Sequence, residues 1–332
     1  MSIERNLLRG VRGVLPSLFV FASGCSGTSN SADSIGGDSS VGATGGSSGG
    51  SDGTGGTSGE ARGGSSSSPA TSGSSAAGGG PVGTGGVNAV VKSNGCGKAA
   101  TLSGAIQQSI SVGGTSRGYF ISPPTNYNSS TAYPLVFVFH GAGDTGANMR
   151  SWGGFEQAAN GAAIFVYPDG LNGIWDLKND GPDANLFDQL VTSLEAAWCI
   201  DKSALFAVGF SYGGWAATQM AVSRPTVVRA IASIEGGGPQ GGKNTSPAVA
   251  AMIIHGTADT AEPIASGISS RDHFVATNGC TTTTSPMTPS PCVTYTGCQL
   301  GKSVAWCQHS GAHEIPTFAP GGVWSFFMSV RQ

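Results

Sequence analysis

The sequence predicts an α/β fold: a mainly parallel sheet with helices on both faces. Three observations carry that reading. Continuous apolar runs such as Tyr133–His140 (YPLVFVFH) and Val249–His255 (VAAMIIH) have the composition of strands buried on both faces. Apolar residues at helical spacing separate them, as in Phe187, Leu190, Val191, Leu194 and Trp198. The stretch from Asn88 to Gln332, about 245 residues, has the size of one α/β domain with a substantial core.

In chain order, residues 1–25 read as a lipoprotein-type signal peptide. Arg5, Arg9 and Arg12 make a basic start, and Val14–Ala22 is an apolar run of nine, too short to span a bilayer. Ala22-Ser-Gly-Cys25 then resembles a bacterial lipobox, with Cys25 as the lipidated residue and Ala22 in place of the usual Leu. Residues 26–87 hold 21 Gly and 17 Ser with no Phe, Trp or Tyr. Such a stretch buries too little apolar area to offset its ordering entropy, so a disordered linker is expected. Its flexible-coil reach is roughly 43 Å, enough to tether a catalytic domain spanning 88–332 away from a surface. Within that domain, strands are expected at 117–122, 133–140, 162–167, 204–209, 228–234 and 249–255, with helices around 187–198 and 215–222.

Charge and cysteines narrow the function classes. The net charge is −3, from 16 Lys+Arg against 19 Asp+Glu, and no basic stripe is present for a phosphate backbone, so nucleic acid is excluded as a partner. Setting Cys25 aside leaves Cys96, Cys199, Cys280, Cys292, Cys298 and Cys307, an even set that fits three disulfides in an exported domain. Without a C-x2-C pair, the spacing does not make a zinc site, and no metal is expected.

The pattern G-x-S-x-G occurs around Ser47, Ser48, Ser51, Ser116 and Ser211, so the bare motif decides nothing. Context does. Only Ser211, in Gly209-Phe-Ser-Tyr-Gly213, follows an apolar strand and opens a helix, the setting of a nucleophile elbow. A serine at its ordinary pKa is a poor nucleophile and needs a base and an orienting acid, which in α/β-hydrolases follow in the order acid, then His. Asp259 stands just past the carboxyl end of a buried strand, with Glu262 as its competitor three residues on. Of the downstream histidines, His313 sits in a short Gly-containing loop suited to aiming an imidazole; His309 is the alternative. His140 and His255 read as packed structural residues. The oxyanion hole requires two backbone N–H groups, assigned to Tyr212 and, in the loop His140-Gly-Ala-Gly143, to Ala142, with Gly143 or Asp144 as rivals.

Several segments in order, among them Ser93-Asn-Gly-Cys-Gly-Lys98, Cys199-Ile-Asp201, Gly209-Phe-Ser-Tyr-Gly-Gly214, His255-Gly-Thr-Ala-Asp259, Arg271-Asp-His-Phe274 and Tyr295-Thr-Gly-Cys298, resemble secreted feruloyl esterases. That superfamily also holds enzymes labelled polyhydroxybutyrate depolymerases. The resemblance spans residues 93–330. It implies an α/β-hydrolase without a cofactor, the triad Ser211, Asp259 and His313, a Cys280–Cys298 bridge, and Cys292–Cys307 as an addition. The expected function is hydrolysis of hydroxycinnamoyl esters on plant polysaccharide by a monomer that meets a membrane only through its lipid anchor, at the cell surface, in the periplasm or secreted. Polyester or acetylxylan hydrolysis, and more remotely a non-catalytic surface-binding protein, are the alternatives. Trp152, Trp175 and Trp215 are the candidate walls for a planar acyl group, with Trp175 favoured because it follows the Pro168-Asp-Gly170 loop at a strand end, and Trp215 one helical turn beyond Ser211.

Overall fold

The computed structural model describes residues 90–99, 104–240 and 247–331. The signal peptide, Cys25 and the Gly/Ser linker lie outside the described residues. The elements are β1 (Ile106–Val112), β2 (Thr115–Ser122), β3 (Tyr133–Phe139), α1 (Gly146–Trp152), α2 (Phe155–Ala159), β4 (Ile164–Pro168), α3 (Pro182–Ala197), β5 (Ile200–Phe210), α4 (Tyr212–Ser223), β6 (Ala230–Ile234), β7 (Ala250–Gly256), α5 (Ile264–Thr277), β8 (Thr284–Pro286), β9 (Cys292–Tyr295), β10 (Val304–His309) and α6 (Ala319–Val330). The strands form one sheet in the order β1-β2-β4-β3-β5-β6-β7-β10-β9-β8. From β4 to β10 neighbouring strands are parallel, while β1–β2 and β9–β8 add antiparallel edges. β1 and β8–β10 extend the sheet beyond the strands read from the sequence.

The continuous apolar runs are central strands because both of their faces are covered. All seven residues of β3, and all seven of β7, are buried. One face packs against α3, α4 and α5 through Phe187, Leu190, Met220 and Phe274. The other packs against α1, α2 and α6 through Met149, Phe155, Val323 and Phe327. The six central strands all point their carboxyl ends the same way, so the loops after β3, β5, β6, β7 and β10 gather at one end of the sheet. Ligands of open parallel sheets bind at that end.

Three disulfides are present: Cys96–Cys199, Cys280–Cys298 and Cys292–Cys307. The first ties the segment before β1 to the start of β5, where Ser93 also hydrogen-bonds Trp198 O and Ile200 N–H. The third joins directly opposed residues of β9 and β10. In a chain-entropy account, closing a loop of about 100 residues restricts the unfolded chain by about 4.7 kcal/mol, against about 3 kcal/mol for one of about 15. The Cys96–Cys199 closure spans 103 residues and the Cys292–Cys307 closure 15. Non-reducing peptide mapping should recover these three pairs. Replacing Cys96 and Cys199 together by Ala should lower the thermal midpoint more than replacing Cys292 and Cys307; the opposite ranking would show that native packing around the second pair outweighs loop closure.

Candidate active site

Ser211 is positioned by a turn that few residues can make. β5 ends at Phe210, and α4 begins at Tyr212, leaving Ser211 alone between them at φ 55°, ψ −124°. Its N–H donates to Ile234 O at 2.8 Å, and its carbonyl accepts from Gly214 N–H at 2.8 Å, which holds the turn at both ends. A Cβ on Gly209 would collide with the Gly213 carbonyl, and one on Gly213 with the Phe139 carbonyl. Both positions therefore need glycine, because backbone approaches backbone there. A left-handed φ at a residue other than Gly, Asn or Asp is costly, of order 1–3 kcal/mol, and such residues cluster at active sites.

Asp259 and His313 meet as the sequence order requires. Asp259 follows β7, and His313 lies in the loop between β10 and α6; β7 and β10 are parallel neighbours, so the two loops are adjacent. The Asp259 Oδ2···His313 Nδ1 distance is 2.6 Å. The other carboxylate oxygen, Oδ1, accepts the N–H groups of Ala261 and Glu262, each at 2.9 Å, which fixes the plane of the acid. Burial would push the Asp259 carboxyl up, but hydrogen bonds from His313, the Glu262 N–H and Glu235 hold it below the ordinary carboxylate value. The carboxylate is therefore ionised at neutral pH and can stabilise a charge forming on the imidazole. Glu262 contributes its backbone to this site: its N–H goes to Asp259 and its carbonyl oxygen lies 2.8 Å from His255 Nε2.

The His313 ring packs against the Phe210 ring at 4.9 Å between centroids, which places the imidazole beside the residue preceding Ser211. Gly141 approaches from the other side: a Cβ there would lie 3.3 Å from the Ser211 Cβ. In the same loop Gly143 N–H donates to Gly173 O and Asp144 N–H to Gly141 O. Those two amides are engaged, leaving Ala142, which is exposed, as the donor available to a ligand. Tyr212 is the first residue of α4, where backbone N–H groups have no intrahelical acceptor. His140 is fully buried and structural. Its Nε2 accepts Gly170 N–H at 3.0 Å, so its Nδ1 carries the proton and donates to Gly141 O at 2.7 Å.

Of the two tryptophans nominated first for the acyl wall, Trp175 turns into the core. Trp175 is only 2% exposed; its indole N–H donates to His140 O at 2.8 Å, and its ring contacts Phe139 and His140. A tight turn at Asn172 (φ 54°) and Gly173, closed by the Leu171–Ile174 bridge, folds the chain after Pro168-Asp-Gly170 inward, so Trp175 braces the end of β3. Trp215 is half-buried with its ring against Gly237 and Gly238, where an added Cβ would come within 2.5 Å and 2.9 Å of it. The third candidate, Trp152, does face an opening. It is 46% exposed, stands edge-on to Phe210 at 5.5 Å, and lines a cleft of about 520 Å³ with Phe210, His313, Ile315, Pro316 and Pro320. A larger cleft of about 690 Å³, bordered by Lys202, Arg229 and Lys302, opens at the amino ends of the central strands, away from these groups.

Glu235, just past β6, was not singled out by sequence, although a carboxylate directly after a strand that is apolar but for Ser233, and before three glycines, is a readable signal. Together with Asp259 and His313 it offers one ligand atom each within 4.8 Å. That trio suits proton sharing better than a metal, because the 2.6 Å His313–Asp259 contact is a direct hydrogen bond with no space for an ion between its atoms.

The sequence matches no family model. Feruloyl esterase D of Neurospora crassa is 35% identical over 266 residues, covering 73% of this chain and 91% of that protein. Probable feruloyl esterase C of Aspergillus terreus is 35% identical over 257 residues, covering 72% of this chain and 92% of that protein. Among solved structures, an acetyl xylan esterase from Aspergillus awamori superposes with a TM-score of 0.56 at 17% identity, over 67% of this chain and 99% of that one, a likeness of fold. Its sheet with helices on both faces and a serine at the β5–α4 elbow is the α/β-hydrolase fold, and by its similarity to curated relatives covered almost end to end the chain belongs to the feruloyl esterase family.

Proposed function

We propose that the domain spanning residues 88–332 is a serine esterase that hydrolyses hydroxycinnamoyl esters on plant polysaccharide. The observation that carries the reading is the Asp259–His313 pair beside the Ser211 elbow, opening on an aromatic cleft. Ser211 Oγ attacks the acyl carbonyl carbon while His313 takes the hydroxyl proton; the negative oxygen forms against the N–H groups of Ala142 and Tyr212. The sugar alcohol departs with the proton held by His313, leaving an acyl-serine. Water then attacks the acyl carbon, its proton passes to His313 and on to Ser211 Oγ, and the free acid leaves. The planar acyl group is seated against Trp152 and Phe210. The three disulfides support export, since such crosslinks persist in oxidising compartments. Monomeric state and lipidation at Cys25 complete the proposal: Cys25→Ser should release the protein from the membrane fraction, and unchanged fractionation would favour simple secretion.

Ser211→Ala should abolish ester hydrolysis with folding intact, and His313→Ala should match it, because nucleophile and base act as a unit worth several orders of magnitude in kcat. Substantial residual turnover in either purified variant would remove that residue from the mechanism.

The acyl group is tested by assaying methyl ferulate beside a hydroxybutyrate dimer. Methyl ferulate should turn over faster, and Trp152→Ala should raise its KM by about 2- to 13-fold, the equivalent of the 0.5–1.5 kcal/mol that an aromatic contact contributes. Efficient cleavage of the dimer with little turnover of methyl ferulate would instead assign the cleft to aliphatic polyester.

A further inference from the structure

Beside Asp259 and His313, within 4.8 Å of both, lies a second carboxyl group that the reaction scheme above leaves unused. Glu235 is wholly buried and held in the left-handed region at φ 49°. Three elements converge on it. From β10, His309 Nε2 lies 2.6 Å from Glu235 Oε1. His309 Nδ1 accepts Gly311 N–H at 3.1 Å, so Nε2 carries the ring proton and donates it to the glutamate. From β7, Gly256 N–H donates to Glu235 Oε2 at 2.9 Å, and His255 Nε2 lies 3.6 Å from both that oxygen and Asp259 Oδ2. The loops after β7 and β10 bring Asp259, His313 and Glu314.

Two carboxyl groups within 4.8 Å of each other, one wholly buried and the other 7% exposed, are held together by one shared proton rather than by two negative charges. We propose that Glu235 is a positioning residue: protonated, and clamped by His309 and the Gly256 amide, it donates a hydrogen bond to Asp259 and thereby fixes the acid that orients His313. Burial first, then the hydrogen bond to Asp259 and the charges of Asp259 and Glu314, push the Glu235 carboxyl up to about 8, against the opposing pull of the Gly256 N–H. His309 is held below its ordinary value, mainly by burial, so it serves as a neutral donor. Through neutral pH the clamp is therefore closed. Above about pH 8 the glutamate loses its proton, two carboxylates face each other, and Asp259 is displaced from His313.

This inference rests on the esterase reading, so the substrate is methyl cinnamate, which has no ionising phenol, and Ser211→Ala is the reference that ties turnover to the proposed nucleophile. Glu235→Ala should lower kcat at pH 7 by 30-fold or more with little change in KM, and Glu235→Gln, whose amide can still donate to Asp259 while giving up acceptance of the Gly256 N–H, should recover part of that loss. Wild-type kcat should fall as pH rises through about 8; in Glu235→Gln that fall should be absent or displaced upward. A second readout needs no substrate. The folded wild-type protein keeps its glutamate protonated above pH 4.5 whereas the unfolded chain ionises it, so wild-type stability drops relative to Glu235→Gln as pH rises from about 4.5 to 8 and the difference then levels off. The wild-type thermal midpoint minus that of Glu235→Gln should fall steadily over that window. A constant gap, coincident alkaline limbs, or a folded Glu235→Ala variant with kcat within threefold of wild type would each overturn the proposal. Loss of wild-type turnover of cinnamate would strike the substrate reading, while the stability gap would still decide whether Glu235 holds its proton.

Discussion

The site depends on how closely three pieces of backbone approach at the end of β5. Gly209 lies under the Gly213 carbonyl, Gly213 under the Phe139 carbonyl, and Gly214 against Ser233 and Gly236. Side chains at these positions would force β3, β5 and α4 apart. With them absent, the strand reverses into a helix within one residue, and that residue is Ser211. The unfavourable φ of Ser211 is tolerated because its N–H and carbonyl are both anchored, to β6 and to α4. The rigid central sheet, buried on both faces, supplies the fixed ends that such a turn requires.

The remaining chemistry is arranged around this fixed point by polar groups whose partners are specified. Asp259 spends one oxygen on the backbone of its own loop and the other on His313. On the opposite flank, His140 pins Gly141 and Gly170, while Trp175 donates to the His140 carbonyl. The loop that carries Ala142 is therefore braced from beneath by a buried histidine and tryptophan. In the proposed mechanism, a donor braced in this way does not have to reorient when negative charge forms.

The central strands and the polar site were largely legible, because each rests on a local signature that tertiary context reinforces. Of the five motif matches only Ser211 stands between an apolar run and a helix, and the structure has it at the β5–α4 turn. The contact between Asp259 and His313 agrees with what strand ends and chain order led one to expect. What stayed hidden depends on where a chain turns between elements. Trp175 follows a strand-end loop as a wall residue would, yet the tight turn at Asn172–Gly173 sends it into the core, while Trp152, on a short helix before β4, stays half-exposed at the cleft. β10 escaped notice because a six-residue strand beside clustered cysteines looks like a crosslinked loop. Glu235 escaped because its meaning lies in β7 and β10, which sequence alone does not bring alongside it.

The position of Trp152 has a consequence for how such an enzyme can change. The wall it forms with Gly153 and Gly154 belongs to the α1–α2 excursion between β3 and β4, and that segment carries none of Ser211, Asp259 and His313. Selection can lengthen, shorten or repopulate this excursion with other side chains while the charged pair and the strained serine stay where the sheet puts them. On the proposed reading, acyl recognition and bond-breaking sit on separate segments, so the first can be altered without moving the second.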